Sequence, residues 1–191
     1  MAAKPGERKQ QILQTVASML QNPKAEKITT AALAAKLDVS EAALYRHFAS
    51  KAQMSEGLIE FIEQTLFGLI NKISSDEQSG VKQIDAIMSL LLGFAQKNPG
   101  MARVLIGDAL VNENERLQLR INQLHDRLEA TLKQSLRIAV SQKEIPADID
   151  AAIQANALLC LAIGRWHQFA KSGFKRLPME YGAPQWRLLI G

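Results

Sequence analysis

The side chains able to do chemistry in this sequence are gathered in one stretch. Between residues 29 and 51 stand the hydroxyls of Thr29, Thr30 and Ser40, the phenol of Tyr45, and the nitrogen donors Arg46, His47 and Lys51. Such donors are what phosphate oxygens accept from. Elsewhere the reactive groups stand alone. His125 and His167 have no second His or Cys at metal-ligand spacing. Cys160 is the sole cysteine, which excludes a disulfide framework and a Cys-rich zinc module. No Ser-His-Asp arrangement, glycine-rich phosphate loop or paired carboxylate pattern occurs. The expectation is a protein that binds rather than catalyses, with no metal and no cofactor.

The charge is placed to match. Residues 1–52 carry 8 basic and 4 acidic side chains, whereas the other 139 carry 15 of each, so the whole net charge of +4 lies in the first quarter. A basic head on a neutral body suits a polyanion partner. Hydrophobic residues make up 47% and charged ones 22%, which excludes wholesale disorder. No apolar run reaches the roughly 18 residues of a membrane span, and the first thirty residues hold no signal-peptide core. A cytoplasmic protein is the expectation.

The elements that must position these groups read as helices throughout. Ile12, Val16, Met19 and Leu20 share a face over residues 8–21, which Asn22-Pro23 ends. Thr29 caps a short helix to Lys36, and Ser40 caps another over Glu41 to His47. Ser50 to Gln53 has the form of a capping box, opening a helix to about Ser74. Ile84, Ile87, Met88, Leu91 and Leu92 mark the next, ending near Lys97. Asn98-Pro99 starts a short helix to about Leu110. Residues 112–114 with Glu115 cap a long one to residue 140, striped by Leu117, Ile121, Leu124, Leu128, Leu132 and Leu136. Arg116, Arg120 and Arg127 fall on its solvated face. Pro146 opens another helix to Lys171, with Cys160 on its apolar side, and residues 184–190 form a last apolar turn or two. About nine helices and no strand are expected, an all-α fold.

The span from Thr29 to Lys51, helix, three-residue turn, helix, has the helix-turn-helix spacing. A helix entering the major groove needs a small or polar outer surface, and Ser40, Glu41, Ala42 and Ala43 provide one. Leu33, Leu37, Val39, Leu44 and Phe48 would fix the angle between the two helices. Thr29 or Thr30 would offer a hydroxyl to one phosphate, and Tyr45, Arg46, His47 and Lys51 would reach others. On the body, Leu90, Gly93, Phe94 and Lys97 share one face, with Phe61 on a neighbouring helix and Asn98 at the end. That strip suits either domain core or a groove for an extended peptide carrying acidic and apolar groups.

Leu44-Tyr45-Arg46-His47-Phe48-Ala49-Ser50-Lys51, preceded by Ile28-Thr29-Thr30, resembles the signature of TetR-type regulators. Asp38 stands where that family usually has a turn glycine, a site aspartate tolerates better than most residues. Residues 39–48, 58–63, 90–94, 98–100 and 120–124 resemble a nucleoid-occlusion subgroup of the family. The resemblance implies a helix-turn-helix domain over 1–52 and a regulatory, partner-binding and dimerisation domain over 53–191. It implies a homodimer on palindromic DNA, with residues 147–171 and 184–190 building a four-helix bundle. Ala157, Leu161, Gly164, Trp166 and Phe169 would form that interface. It also implies a second partner, the tubulin-like division GTPase FtsZ, whose C-terminal tail would use Phe61, Leu90, Gly93, Phe94, Lys97 and Asn98. The place implied is the nucleoid. The alternative is a repressor that releases DNA on binding a small apolar ligand between residues 84–140 and 150–170.

Overall fold

A computed structural model describes residues 5–22, 28–110 and 115–190. Lys4, Pro23, Lys24, Glu26, Lys27 and the cap residues 112–114 lie outside the described residues. The described chain holds nine α-helices: α1 (Pro5–Leu20), α2 (Thr30–Lys36), α3 (Glu41–Tyr45), α4 (Lys51–Asp76), α5 (Gly80–Lys97), α6 (Pro99–Leu105), α7 (Glu115–Ser141), α8 (Ala151–Lys171) and α9 (Gly182–Arg187), with a 3-10 turn at Asp108–Leu110. No strand is found among the described residues.

Helices α1 to α3 and the start of α4 make the N-terminal unit. Leu33, Leu44 and Phe48 are buried there with Ile12 and Met54, and Leu37 and Val39 are partly covered. Asp38 takes the left-handed conformation, φ 55°, so the turn between α2 and α3 closes without a glycine. Helix α4 runs unbroken from this unit into the body.

The body is built on α5, α7 and α8. Every residue of the leucine stripe on α7 is buried. Trp166 of α8 is wholly buried and donates its indole N–H to the Leu91 carbonyl of α5 at 3.1 Å. Gln83 and Ser135 hydrogen-bond to each other inside at 2.9 Å, so neither buried polar group is orphaned.

Helix α6 joins the two units. It packs against α1 so closely that a Cβ on Gly100 would stand 2.0 Å from the Ala17 carbonyl oxygen. Arg103 of α6 donates to the Leu20 and Asn22 carbonyls at 3.2 and 3.4 Å, satisfying the open end of α1. Its Nε holds Asp108 at 2.8 Å, and Lys171 of α8 reaches the other oxygen of the same carboxylate.

Several expectations are corrected. Helix α6 ends at Leu105, because Gly107 at φ 75° breaks it before the 3-10 turn. Helix α8 begins at Ala151, not Pro146. Asp150 is the cap, accepting from the Ala152 and Ile153 N–H groups at 2.7 and 3.3 Å, and Pro146 only opens the preceding turn. The long partner of α8 is α7, whereas α9 has six residues and is pinned to α5. There Asp85 accepts from Trp186 at 2.8 Å and from Arg187 at 2.5 Å. Trp166 and Phe169, expected at a dimer interface, are buried in their own subunit at 0% and 1% exposure. Cys160, expected inside, is exposed. The arginines of α7 tie it to α4: Arg120 pairs with Glu63 at 2.9 Å, and Arg127 lies 3.8 Å over the Phe67 ring.

Candidate nucleic-acid interface

Three helix starts lie within 22 residues, each made by one hydroxyl. Thr29 Oγ1 accepts from the Ala32 N–H at 3.1 Å, Ser40 Oγ from Ala43 at 3.2 Å, and Ser50 Oγ from Gln53 at 3.2 Å. The caps at Thr29 and Ser50 satisfy first-turn N–H groups, and Ala43 shares its N–H between the Ser40 hydroxyl and the Ser40 carbonyl at 3.0 Å. The expected capping box at Ser50 is shifted by one residue, since Gln53 Oε1 accepts from Ala49 at 2.8 Å.

Thr30 Oγ1 donates to Glu41 Oε2 at 2.5 Å, which draws the first residues of α2 and α3 together. The Thr30 proton is therefore held by a carboxylate, which leaves Thr29 as the freer of the two hydroxyls. Thr29 accepts as a cap and keeps its own proton to donate. Ser40, Glu41, Ala42, Tyr45 and Arg46 are exposed, Tyr45 at 46%, while Ala43, His47 and Lys51 are half-buried. Helix α3 stops at Tyr45, so Arg46 and His47 stand in the turn that leads to α4. Lys9 of α1 rests 5.3 Å over the Phe48 ring and steadies that turn from behind. The result is a surface of small and polar groups flanked by cations, on a backbone fixed by three caps.

The chain matches two family models. Residues 25–58 match "Bacterial regulatory proteins, tetR family", and residues 78–191 match "Tetracyclin repressor-like, C-terminal domain". It is 48% identical over 189 residues to the nucleoid occlusion factor SlmA of Idiomarina loihiensis, covering 99% of this chain and 96% of that one. It is 51% identical over 185 residues to the protein of that name from Alteromonas mediterranea, covering 97% and 95%. The chain belongs to the SlmA group of the TetR family.

Solved TetR-type structures share the fold of this TetR-family chain at low identity. The fatty acid degradation regulator FadR of Bacillus halodurans superposes with a TM-score of 0.80 at 15% identity, covering 100% of this chain and 97% of that one. PfmR of Thermus thermophilus does so with 0.77 at 22%, covering 94% and 96%. The helix-turn-helix lies within the residues that match the tetR family model.

The second expected site is only partly assembled. Phe61 of α4 is half-buried in a small depression with Leu13, Leu58 and Met101, between α1, α4 and α6. Leu90 and Gly93 are half-exposed on α5, and nothing lies within 4 Å of where a Gly93 Cβ would point. Lys97 is exposed and Asn98 half-buried; the Asn98 amide donates to the Phe94 carbonyl at 2.8 Å. Phe94, expected on the same strip, is buried at 9% exposure and belongs to the core. On α8, Ala157 and Leu161 are half-buried and Gly164 is open, on the side away from Trp166.

Sequence reasoning missed the contacts that hold the units together. Arg103 and Asp108 are five residues apart, but Lys171 lies 63 residues beyond Asp108 and the Leu20 carbonyl 83 before Arg103, so no periodic signal joins them. Burial opposes the charge on Asp108, but the hydrogen bonds from Lys171 and Arg103 outweigh it and hold the carboxyl below its usual range. His125 Nε2 donates to the Leu105 carbonyl at 3.0 Å beside Trp166, and burial pushes its pKa down.

Proposed function

We propose that this chain is a nucleoid occlusion factor, a DNA-bound dimer that engages FtsZ and opposes division-ring assembly over the chromosome. The observation that carries this reading is identity near one half to SlmA proteins along almost the whole chain. The likeness extends through the body, beyond the DNA-binding module. The division of labour is 1–52 for DNA and 53–191 for partner binding and dimerisation. Because α4 passes through that boundary as one helix, the body sets the angle of the DNA-binding unit.

On DNA, α3 faces the major groove of a palindrome, one copy per half-site. Thr29, Tyr45, Arg46, His47 and Lys51 contact phosphates and supply most of the affinity. Ser40, Ala42 and Ala43 are small enough to let the helix approach, and the alanines touch thymine methyls or groove shape. Each dimer half contributes the open face of α8, where Ile153 is 67% exposed beside Ala157, Leu161 and Gly164. Trp166 and Phe169 support that face from behind. The tail of FtsZ lies along Leu90, Gly93 and Lys97, with Phe61 and Asn98 at the margins and Phe94 beneath. The bare backbone at Gly93 admits an extended chain and Lys97 attracts an acidic one. The protein then works in the cytoplasm on the nucleoid; no helix among the described residues is long and apolar enough to cross a membrane.

A ligand-released repressor needs a chamber among α5, α7 and α8. Trp166 crosses that space to the Leu91 carbonyl, which weighs against the rival. The test is fluorescence anisotropy of a labelled FtsZ tail peptide, with and without a palindromic duplex. Binding is expected, and its absence in both states would sink the proposal. Genome-wide mapping separates the rival: scattered sites are expected, and a single site beside the protein's own gene would favour the repressor.

A further inference from the structure

We propose that Glu41 is a specificity-determining residue that accepts a hydrogen bond from the amino group of a cytosine in the major groove, with Thr30 holding it in position. The inference rests on the DNA-binding reading above and adds the base that is read.

The recognition helix has few groups able to read a base. Ala42 and Ala43 carry no hydrogen-bonding side chain, and the Ser40 hydroxyl, which accepts from Ala43 as the cap, has its proton left to donate but not to take up an amino group as Glu41 can. Residues at the start of such a helix are those that meet base edges. Glu41 is exposed there, and its negative charge faces a polyanion. A carboxylate in that place lowers affinity for every duplex, so what it adds to DNA binding is selectivity. It is also unusually well held for an exposed glutamate. Thr30 Oγ1 binds Oε2 at 2.5 Å from the neighbouring helix, while Oε1 carries no hydrogen bond among the described residues. A fixed side chain loses less rotamer freedom when it docks.

An ionised carboxylate only accepts. In the major groove the amino donors are on cytosine and adenine. Adenine presents its N7 lone pair next to the amino group, which repels a carboxylate and suits an amide instead. Cytosine presents the amino group with no acceptor beside it on its own edge. Glu41 therefore favours cytosine.

The test uses the full chain and a palindrome that it selects from a random duplex library, with every single-base-pair variant and one mixed-sequence duplex. For the wild-type chain, replacing the contacted C·G pair weakens binding by about tenfold. Glu41→Ala abolishes the preference at that symmetry-related pair and leaves the mixed-sequence duplex bound at least as tightly. Glu41→Gln moves the preference toward adenine, and Thr30→Val weakens it at the same pair. Unchanged base preference in Glu41→Ala overturns the inference and leaves the DNA-binding reading intact. Equal weakening on all duplexes overturns it too, since Glu41 would then act on the fold or the phosphates. A wild-type chain that selects no duplex removes the DNA-binding reading and the inference together.

Discussion

Gly100→Ala tests whether the body holds the DNA-binding unit by close seating of α1 on α6. Gly100 is helical and buried, so propensity alone favours alanine by up to about 1 kcal/mol. Geometry opposes it. The new Cβ would stand 2.0 Å from the Ala17 carbonyl oxygen, 2.9 Å from its carbon and 3.1 Å from the Leu20 Cβ. Two of these obstacles are main-chain atoms of α1, which cannot rotate away. Restoring an ordinary carbon–oxygen contact of about 3.3 Å requires α1 to retreat by more than an ångström. Overpacking of this kind costs about 1–3 kcal/mol, and a main-chain obstacle belongs at the upper end. The net loss is about 1–2 kcal/mol, a fall in Tm of roughly 2–8 °C for a chain of this size. Gly68→Ala is the control, because nothing lies within 4 Å of its Cβ position on the exposed side of α4. Its Tm rises by up to about 4 °C through propensity alone. Thermal melting at one fixed chain concentration compares them fairly, since dimerisation makes Tm concentration-dependent. Retreat of α1 also moves the anchor points of Arg103, so Gly100→Ala weakens binding to a palindromic duplex and Gly68→Ala does not. A Gly100→Ala chain that melts at or above the wild-type temperature refutes the seating of α1 described here.

Three further predictions address charge. Lys51→Ala weakens all duplexes about equally and reduces the slope of log affinity against log salt by about 0.9 per lost phosphate contact; an unchanged slope takes Lys51 out of the interface. Lys97→Glu leaves duplex binding unchanged and abolishes binding of the acidic tail peptide, whereas equal loss of both indicates misfolding. Asp108 has a folded pKa held below its unfolded value, so its stabilising contribution is complete above about pH 4 and is lost as pH falls through the folded pKa. Between pH 5 and 2 the wild-type Tm therefore falls more steeply than that of Asp108→Asn, and parallel curves would show that the Arg103–Asp108–Lys171 cluster contributes nothing.

The parts of the fold legible in the sequence are those fixed by nearest neighbours along the chain. Thr29, Ser40 and Ser50 announce helix starts because an oxygen three residues before a free N–H is a local fact. Asp38 was readable for the same reason, since left-handed backbone depends on the residue itself. The stripe from Leu117 to Leu136 is legible because α7 is wet on one side and dry on the other. The start of α8 was misplaced where two local signals compete. Pro146 and Asp150 both suit a helix opening, and the choice fell to Asp150, whose carboxylate satisfies two N–H groups where proline satisfies none.

Trp166 and Phe169 depart from the expected dimer face for a different reason, one that periodicity cannot repair. Helix α8 is apolar on both sides: Leu158, Ala162, Trp166 and Phe169 on one, Ile153, Ala157, Leu161 and Gly164 on the other. A helix with two apolar sides has to be covered twice, and spacing does not say which cover is its own subunit. Size suggested that Trp166 and Phe169 reach across to a partner. The structure gives the large side chains to the subunit's own core, where the indole N–H finds the Leu91 carbonyl. A tryptophan placed against a partner would expose its large apolar ring to water in every free monomer. Placing it inside removes that cost and leaves small residues on the outer face. Small residues bring two helix backbones close together, so the face proposed for the second copy gains contact from main chain and from Ile153 and Leu161. It is the combination of a satisfied indole on one side and an open Gly164 on the other that orients α8, and neither can be read from spacing alone.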